Sequence, residues 1–229
     1  MISKESDNRS MWIAPCRIPD KRYWTVEDWK ALDLENDGDW KTAVEIFEDR
    51  IQYRYLDAIK ELQRSDDEFY KQHHQRRFGF SMMALDCLII ETLAQFYEGF
   101  KDSEEAKHQP ISLNNSQFYT RFLTQKSFIL KDYFNQTAAT IFYQQIRCGI
   151  LHQAETRENS TIWYRDQDHP GKPFELLEDG KSLRIFWFNF HNLVKDEFDA
   201  YCTCLRTKQI PDYRANFIKK MDAICRVRS

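Results

Sequence analysis

The stretch Phe78–Phe100, FGFSMMALDCLIIETLAQFYEGF, constrains the fold more than any other. At about 100° per residue, Met82, Leu85, Ile89, Leu93 and Phe96 fall on one stripe of a helix. A helix this apolar needs partners on most sides, so the chain is expected to fold as a helical bundle around it. The apolar run is short and interrupted, which reads as a core helix rather than a bilayer span. Asp86 falls inside the stripe, beside Met82 and Leu93. A carboxylate there is costly unless paired, and Arg147, His152 or Arg77 are the candidate partners; a cap on nearby backbone is the alternative. Glu91 points the other way, near Thr92 and Gln95, and reads as solvated.

The remaining pattern is also mostly helical. Residues 1–22 look irregular, and Thr25 with Asp28 three residues on predicts a short capped helix. After the break LENDGD, the positions Val44, Phe47, Ile51, Tyr55, Ile59 and Leu62 predict one amphipathic helix from Asp39 or Trp40 to about Arg64. SDDEFYKQHHQRR then reads as a turn and connection. Asn115 or Ser116 is expected to cap a short helix through Leu123, and a long helix is expected from about Lys131 to Glu155. TIWYRD and LRIFWFNF, with the Asp-Gly signal in LEDGKS between them, predict a β-hairpin or three-stranded ribbon across 160–187. Two helices close the chain, the second with Pro211 in its first turn. The expected organisation is an N-terminal arm (1–38), a helical core (39–156) and a β-hairpin with closing helices (157–229).

Net charge is −3 and the isoelectric point about 6.1, which excludes a broadly basic nucleic-acid-coating protein but leaves room for a local basic cleft. Gly and Pro number six each in 229 residues and aromatics reach 15%, as in a compact globule. The six cysteines form no CxxC pair, and Cys202-Thr-Cys204 lacks histidine partners, so free thiols are expected and no metal. With no secretory signal at the start, the expectation is a reduced, cytoplasmic, soluble protein without membrane association. No phosphate loop, GxSxG or HExxH is present, which leaves metal- or nucleotide-dependent chemistry little support and implies no cofactor.

The chemistry rests on Ile146–Thr156, IRCGILHQAET. On an uninterrupted helix, Phe134, Ala138, Ile141, Phe142, Cys148 and Gly149 share one face, with His152 in its middle and Gln145 one step away. Arg147 lies about 140° round. One reading makes Arg147 a solvated cation at a helix C-terminus and His152 a buried core histidine. The other follows from a likeness. Arg147-Cys-Gly-Ile-Leu-His152 resembles the Arg-x4–6-His motif of the HEPN superfamily, small helical bundles, often dimeric, found in toxins and abortive-infection systems. The resemblance covers roughly residues 40–156 and implies a mainly α, HEPN-like bundle with a small β-hairpin insertion before the C-terminal helices.

It further implies a metal-independent endoribonuclease, in which the RNA 2′-hydroxyl attacks the adjacent phosphodiester. His152 would move the proton and Arg147 would stabilise the phosphorane, across the two-fold cleft of a homodimer. Asp86, Gln145 and Cys148 are the candidate supporting residues, and Arg76 and Arg77 of HHQRR the candidate RNA contacts. Cys148 departs from the Asn, Asp or His that often follows the arginine in active members. Gly149 suits close approach of a partner helix. Trp163, Tyr164, Trp187 and Phe188 are candidates to stack bases or simply to pack. An antitoxin or regulatory protein is an implied partner, and a non-catalytic RNA- or protein-binding module is the alternative.

Overall fold

A computed structural model describes residues 11–110, 112–165, 170–208 and 210–227. It is mainly helical, with small sheets, one of them three-stranded and placed before the C-terminal helices. The part of the expected irregular arm formed by residues 1–10 lies outside the described residues.

The region expected to be irregular contains a strand, paired with another just beyond it. β1 (Trp12–Pro15) and β2 (Tyr23–Thr25) run antiparallel, and the Trp12 ring stacks on Tyr23 at 4.0 Å. Thr25 then opens α1 (Val26–Lys30) through the anticipated reciprocal cap with Asp28. Asn36 caps α2 (Asp37–Ile51) by accepting from the amides of Gly38 and Asp39. A π-turn at Gln52–Leu56 carries the chain on into α3 (Asp57–His73). The helix therefore does not end near Arg64. Arg64 pairs with Glu61 at 2.8 Å and Glu68 at 2.9 Å, the spacing that lets a solvated helix propagate without an apolar stripe. Termination waits for His74, at φ 53°.

α4 (Gly79–Glu98) is the apolar helix, and it closes at Gly99, whose φ of 67° suits glycine. A Cβ there would sit 2.9 Å from Asn216 Cα. By length and composition α4 is long and apolar enough to cross a membrane, contrary to the sequence reading. It packs against α8 (Trp187–Thr207) and α9 (Pro211–Cys225), and Met82, Met83, Ile89, Ile90, Leu93 and Phe96 are fully buried. Phe47 of α2, Phe96 of α4 and Phe217 of α9 meet with ring centroids 4.4–5.8 Å apart, tying three helices at one point.

α5 (Asn115–Arg121) is capped by Asn114, paired with Gln117, and runs into a π-turn at Phe122–Lys126. The next helix starts later than expected. A 3-10 turn occupies Leu130–Asp132, and Asn135 caps α6 (Gln136–Ile141) by accepting from the Ala138 amide. α6 passes through a third π-turn, Phe142–Arg147, into α7 (Cys148–Gln153). The first and third π-turns each add a residue within a continuing helix, so the side chains beyond them fall about 100° from their place on a uniform helix.

The β segment takes the three-stranded form of the two expected. β4 (Phe174–Leu176) and β5 (Leu183–Phe186) form the antiparallel pair around Gly180, at φ 64°, while β3 (Thr161–Trp163) adds parallel to the far edge of β5. The strand order is β3-β5-β4. A parallel partner needs a long crossover, and local turn signals carry no trace of it.

Candidate functional site

Arg147 is the last residue of the third π-turn. Its Nη2 donates to Glu91 Oε2 at 2.6 Å, with side-chain exposures of 16% and 21%. Glu91, read from the sequence as solvated, is thus the arginine's counter-ion. Burial pulls the guanidinium pKa down, but the Glu91 hydrogen bond and charge outweigh it, so the group is held more firmly charged than a free arginine. The second oxygen of Glu91 accepts from Ser103 Oγ at 2.8 Å. Ser103 in turn accepts from Gln95 Nε2 at 3.0 Å, and Gln95 Oε1 accepts from Lys220 Nζ at 2.7 Å. A polar chain Lys220–Gln95–Ser103–Glu91–Arg147 therefore links α9 to the motif arginine across α4.

Around the guanidinium lie Cys148 Sγ at 3.9 Å and the Tyr143 ring at 5.6 Å. Arg147 Nε is buried without a hydrogen-bond partner among the described residues, and the buried Tyr119 hydroxyl lies beside the Cys87 thiol. Burial drives the Tyr119 hydroxyl well above its ordinary pKa, so it stays a neutral donor. Cys148 is half-buried beside the arginine. It offers a polarisable sulfur where an amide or carboxylate would orient the pair more strongly.

His152 is not in the apolar face. The π-turn rotates α7 away from the count made on a uniform helix, and the ring stands exposed in the last turn before Ala154, at φ 55°. The core-histidine reading is therefore excluded. Arg147, read as solvated, is the more covered of the two. Both groups sit on one helix end, five residues apart, about 7.5 Å along the axis.

The supporting residues are distributed differently from expectation. Asp86 is fully buried, as its place in the stripe suggests, but its partner is His191 of α8, Nδ1 to Oδ1 2.8 Å, rather than Arg147, His152 or Arg77. Burial raises the Asp86 carboxyl, the His191 contact opposes that, and Oδ2 has no partner among the described residues. This pair fastens α4 to α8 away from the motif. Only the position of Asp86 was visible in the sequence, since nothing in the spacing reports His191. Gln145 is bonded within the chain: its Nε2 donates to Lys181 O at 2.8 Å and its Oε1 accepts from Ser160 Oγ at 2.6 Å, pinning the sheet to the motif helix. Gly149 also serves its own chain, because a Cβ there would lie 2.5 Å from Glu155 O.

Arg76 is committed as well. It pairs with buried Asp66 at 3.1 Å and with Asp67, and its guanidinium lies between the rings of Tyr70 (4.4 Å) and Tyr164 (3.8 Å). Asp66 also accepts from the Arg77 and Phe78 amides, so this cluster shapes the α3–α4 connection. Arg77 is exposed and lies over Phe69 at 4.0 Å. Gly79 opens α4 and Glu91 follows about 18 Å further along its axis, so the basic patch does not adjoin Arg147. Of the aromatic candidates, Trp187 is buried and Trp163 is 51% exposed, its ring under the Arg184 guanidinium at 4.2 Å.

Among the described residues, no group of three or more His, Cys, Asp or Glu side chains is placed to hold a metal ion. No protein-family model, curated protein or solved structure matches the chain.

Proposed function

We propose that the chain is a metal-independent endoribonuclease of HEPN type, acting as a homodimer in cell arrest or antiviral defence. The observation that carries the reading is the division of labour at the end of α7. Arg147 is fixed and kept charged by Glu91, while His152 stands in solvent one and a half turns on. RNA brings its own nucleophile, so the protein must supply a proton shuttle and a charge for the phosphorane. Imidazole suits the first task near neutral pH and a guanidinium suits the second. In this reading Glu91 and Ser103 are positioning residues and Cys148 lies beside the reacting phosphate.

Two copies would meet over α7 and the neighbouring face of α4. One turn before Glu91 on that face, Leu88 is 37% exposed, an apolar side chain left partly open in the single chain. Such a contact would bring each His152 toward the other copy's Arg147. An antitoxin or regulatory protein would act by occupying the same face.

The test is cleavage of labelled single-stranded RNA in EDTA. His152→Ala and Arg147→Ala should each abolish it, with cyclic-phosphate ends in the products of the unmodified protein and the melting temperature of His152→Ala unchanged. Cleavage by both variants at the unmodified rate removes the proposal. A second reading, a non-catalytic RNA- or protein-binding module, is favoured by one observation: at 16% exposure the Arg147 side chain offers a phosphate little open surface. RNA bound but left intact by the pure dimer selects it.

A further inference from the structure

We infer a second site, independent of the motif: an anion site for a phosphoryl group, built from Arg50 and Arg54 where α2 passes through its π-turn. Arg50 Nη1 and Arg54 Nη2 both donate to one acceptor, the Ile13 carbonyl of β1, at 2.5 and 2.6 Å. Two nitrogens that close to one oxygen lie within about 5 Å of each other. Like charges at that distance ordinarily share a carboxylate. Here neither guanidinium has one among the described residues.

The acids nearest in sequence are committed elsewhere, Glu48 to Arg17 and Arg206. Asp49 holds Arg17 and the Trp24 indole, and Asp57 holds Gln52. Asp222 accepts from the Trp29 indole. The consequences are visible in the cations. Burial, then the charge of Arg54, pulls Arg50 down to about 10. Burial, then Arg50, pulls Lys220 down to about 8. Cys225 is no counter-ion: burial and Asp222 push its thiol up to about 12 despite Arg50 and Lys30.

One carbonyl dipole does not balance two guanidinium charges, and Arg50, the half-buried member, bears the cost of the unbalanced charge. A dianionic oxyanion balances both. Forked donors from two arginines match phosphate geometry, and Arg54 is exposed, which leaves a route in. Arg50 and Arg54 are four residues apart, so both project from one face of the helix toward β1.

The experiment is thermal unfolding of the full chain in sodium phosphate against sodium chloride at matched ionic strength and pH. A rise of about 2–4 °C in phosphate is expected for the unmodified protein. Arg54→Gln should lose that rise, Arg54→Lys should keep part of it, and Arg64→Gln, a surface control, should keep all of it. A 5′-phosphorylated dinucleotide and its dephosphorylated form separate the sources. Stabilisation by inorganic phosphate and by the phosphorylated dinucleotide alone assigns a terminal or free phosphoryl group. Equal stabilisation by both dinucleotides assigns a backbone phosphodiester. No phosphate-specific rise in the unmodified protein, or an equal rise in Arg54→Gln, overturns the site and reduces the pair to a strand tether. Neither result depends on whether RNA is cut.

Discussion

Glu197 of α8 offers the sharpest test of how the motif helix is held. Its carboxylate is fully buried and accepts four donors: the amides of Phe128 (3.0 Å), Ile129 (2.7 Å) and Leu130 (3.2 Å), and the Tyr97 hydroxyl. These amides belong to the connection between the second π-turn and α6, so one side chain fixes the approach to the helix that carries Arg147. A hydrogen bond to a charged group contributes ~1.5–3 kcal/mol net. Four of them set a ceiling of about 6–12 kcal/mol, which water entry at the half-buried Phe128 and Ile129 reduces, and such terms do not add fully. Glu197→Ala is expected to cost about 4–6 kcal/mol. For a chain of this length each kcal/mol moves the melting temperature by roughly 2–4 °C, giving a fall of about 8–24 °C in calorimetry. Burial raises the Tyr97 hydroxyl well above its ordinary value, with the Glu197 charge reinforcing it, so at neutral pH the hydroxyl remains a donor left stranded in the variant. Glu197→Gln keeps one acceptor oxygen and should fall between. A loss under about 3 °C for the alanine variant would falsify the reasoning that this carboxylate organises the connection.

Other outcomes follow from the same contacts. His191→Ala strands the buried Asp86 carboxylate and should cost about 3–5 kcal/mol, while His152→Ala leaves the melting temperature unchanged; a reversed order would place the structural histidine wrongly. Glu91→Gln removes the charge that fixes Arg147, so RNA cleavage under the proposed function should drop about 10–100-fold with circular dichroism unaltered; undiminished cleavage would remove Glu91 from the site. Lys220, ordinarily 10.5, is held near 8 in the folded chain. Between those pH values the unfolded lysine keeps its proton while the folded one has lost it, so its contribution to stability rises with pH, by at most about 3 kcal/mol. Chemical denaturation of Lys220→Met should lack that rise relative to the unmodified protein, and parallel pH profiles would contradict it.

The sequence exposes what depends on local pattern. The α4 stripe, the Thr25–Asp28 cap, the start of α9 at Pro211 and the turn at Gly180 were all readable, because each is written in residues a few positions apart. The site was legible only as a pair of residue types. Whether His152 faces the core depends on a π-turn that leaves no compositional mark, and the Glu91–Arg147 ion pair joins positions 56 residues apart. Asp86 illustrates both halves. Its cost in the stripe was evident from spacing, while its actual partner lies 105 residues away on a helix whose pattern advertised only aromatics.

The π-turn at Phe142–Arg147 makes the helix tolerant of deletion in an unusual way. Removing one residue there would let the segment close as ordinary α-helix, with the upstream contacts of Phe134 and Ala138 preserved. Because the turn already holds one residue more than an α-helical turn, everything from Cys148 onward would keep its place round the axis, with His152 still in solvent. A single-codon deletion at a solvent-facing position such as Gln144 would therefore be milder than one inside the uninterrupted α4, where the same loss would turn every downstream side chain by about 100°.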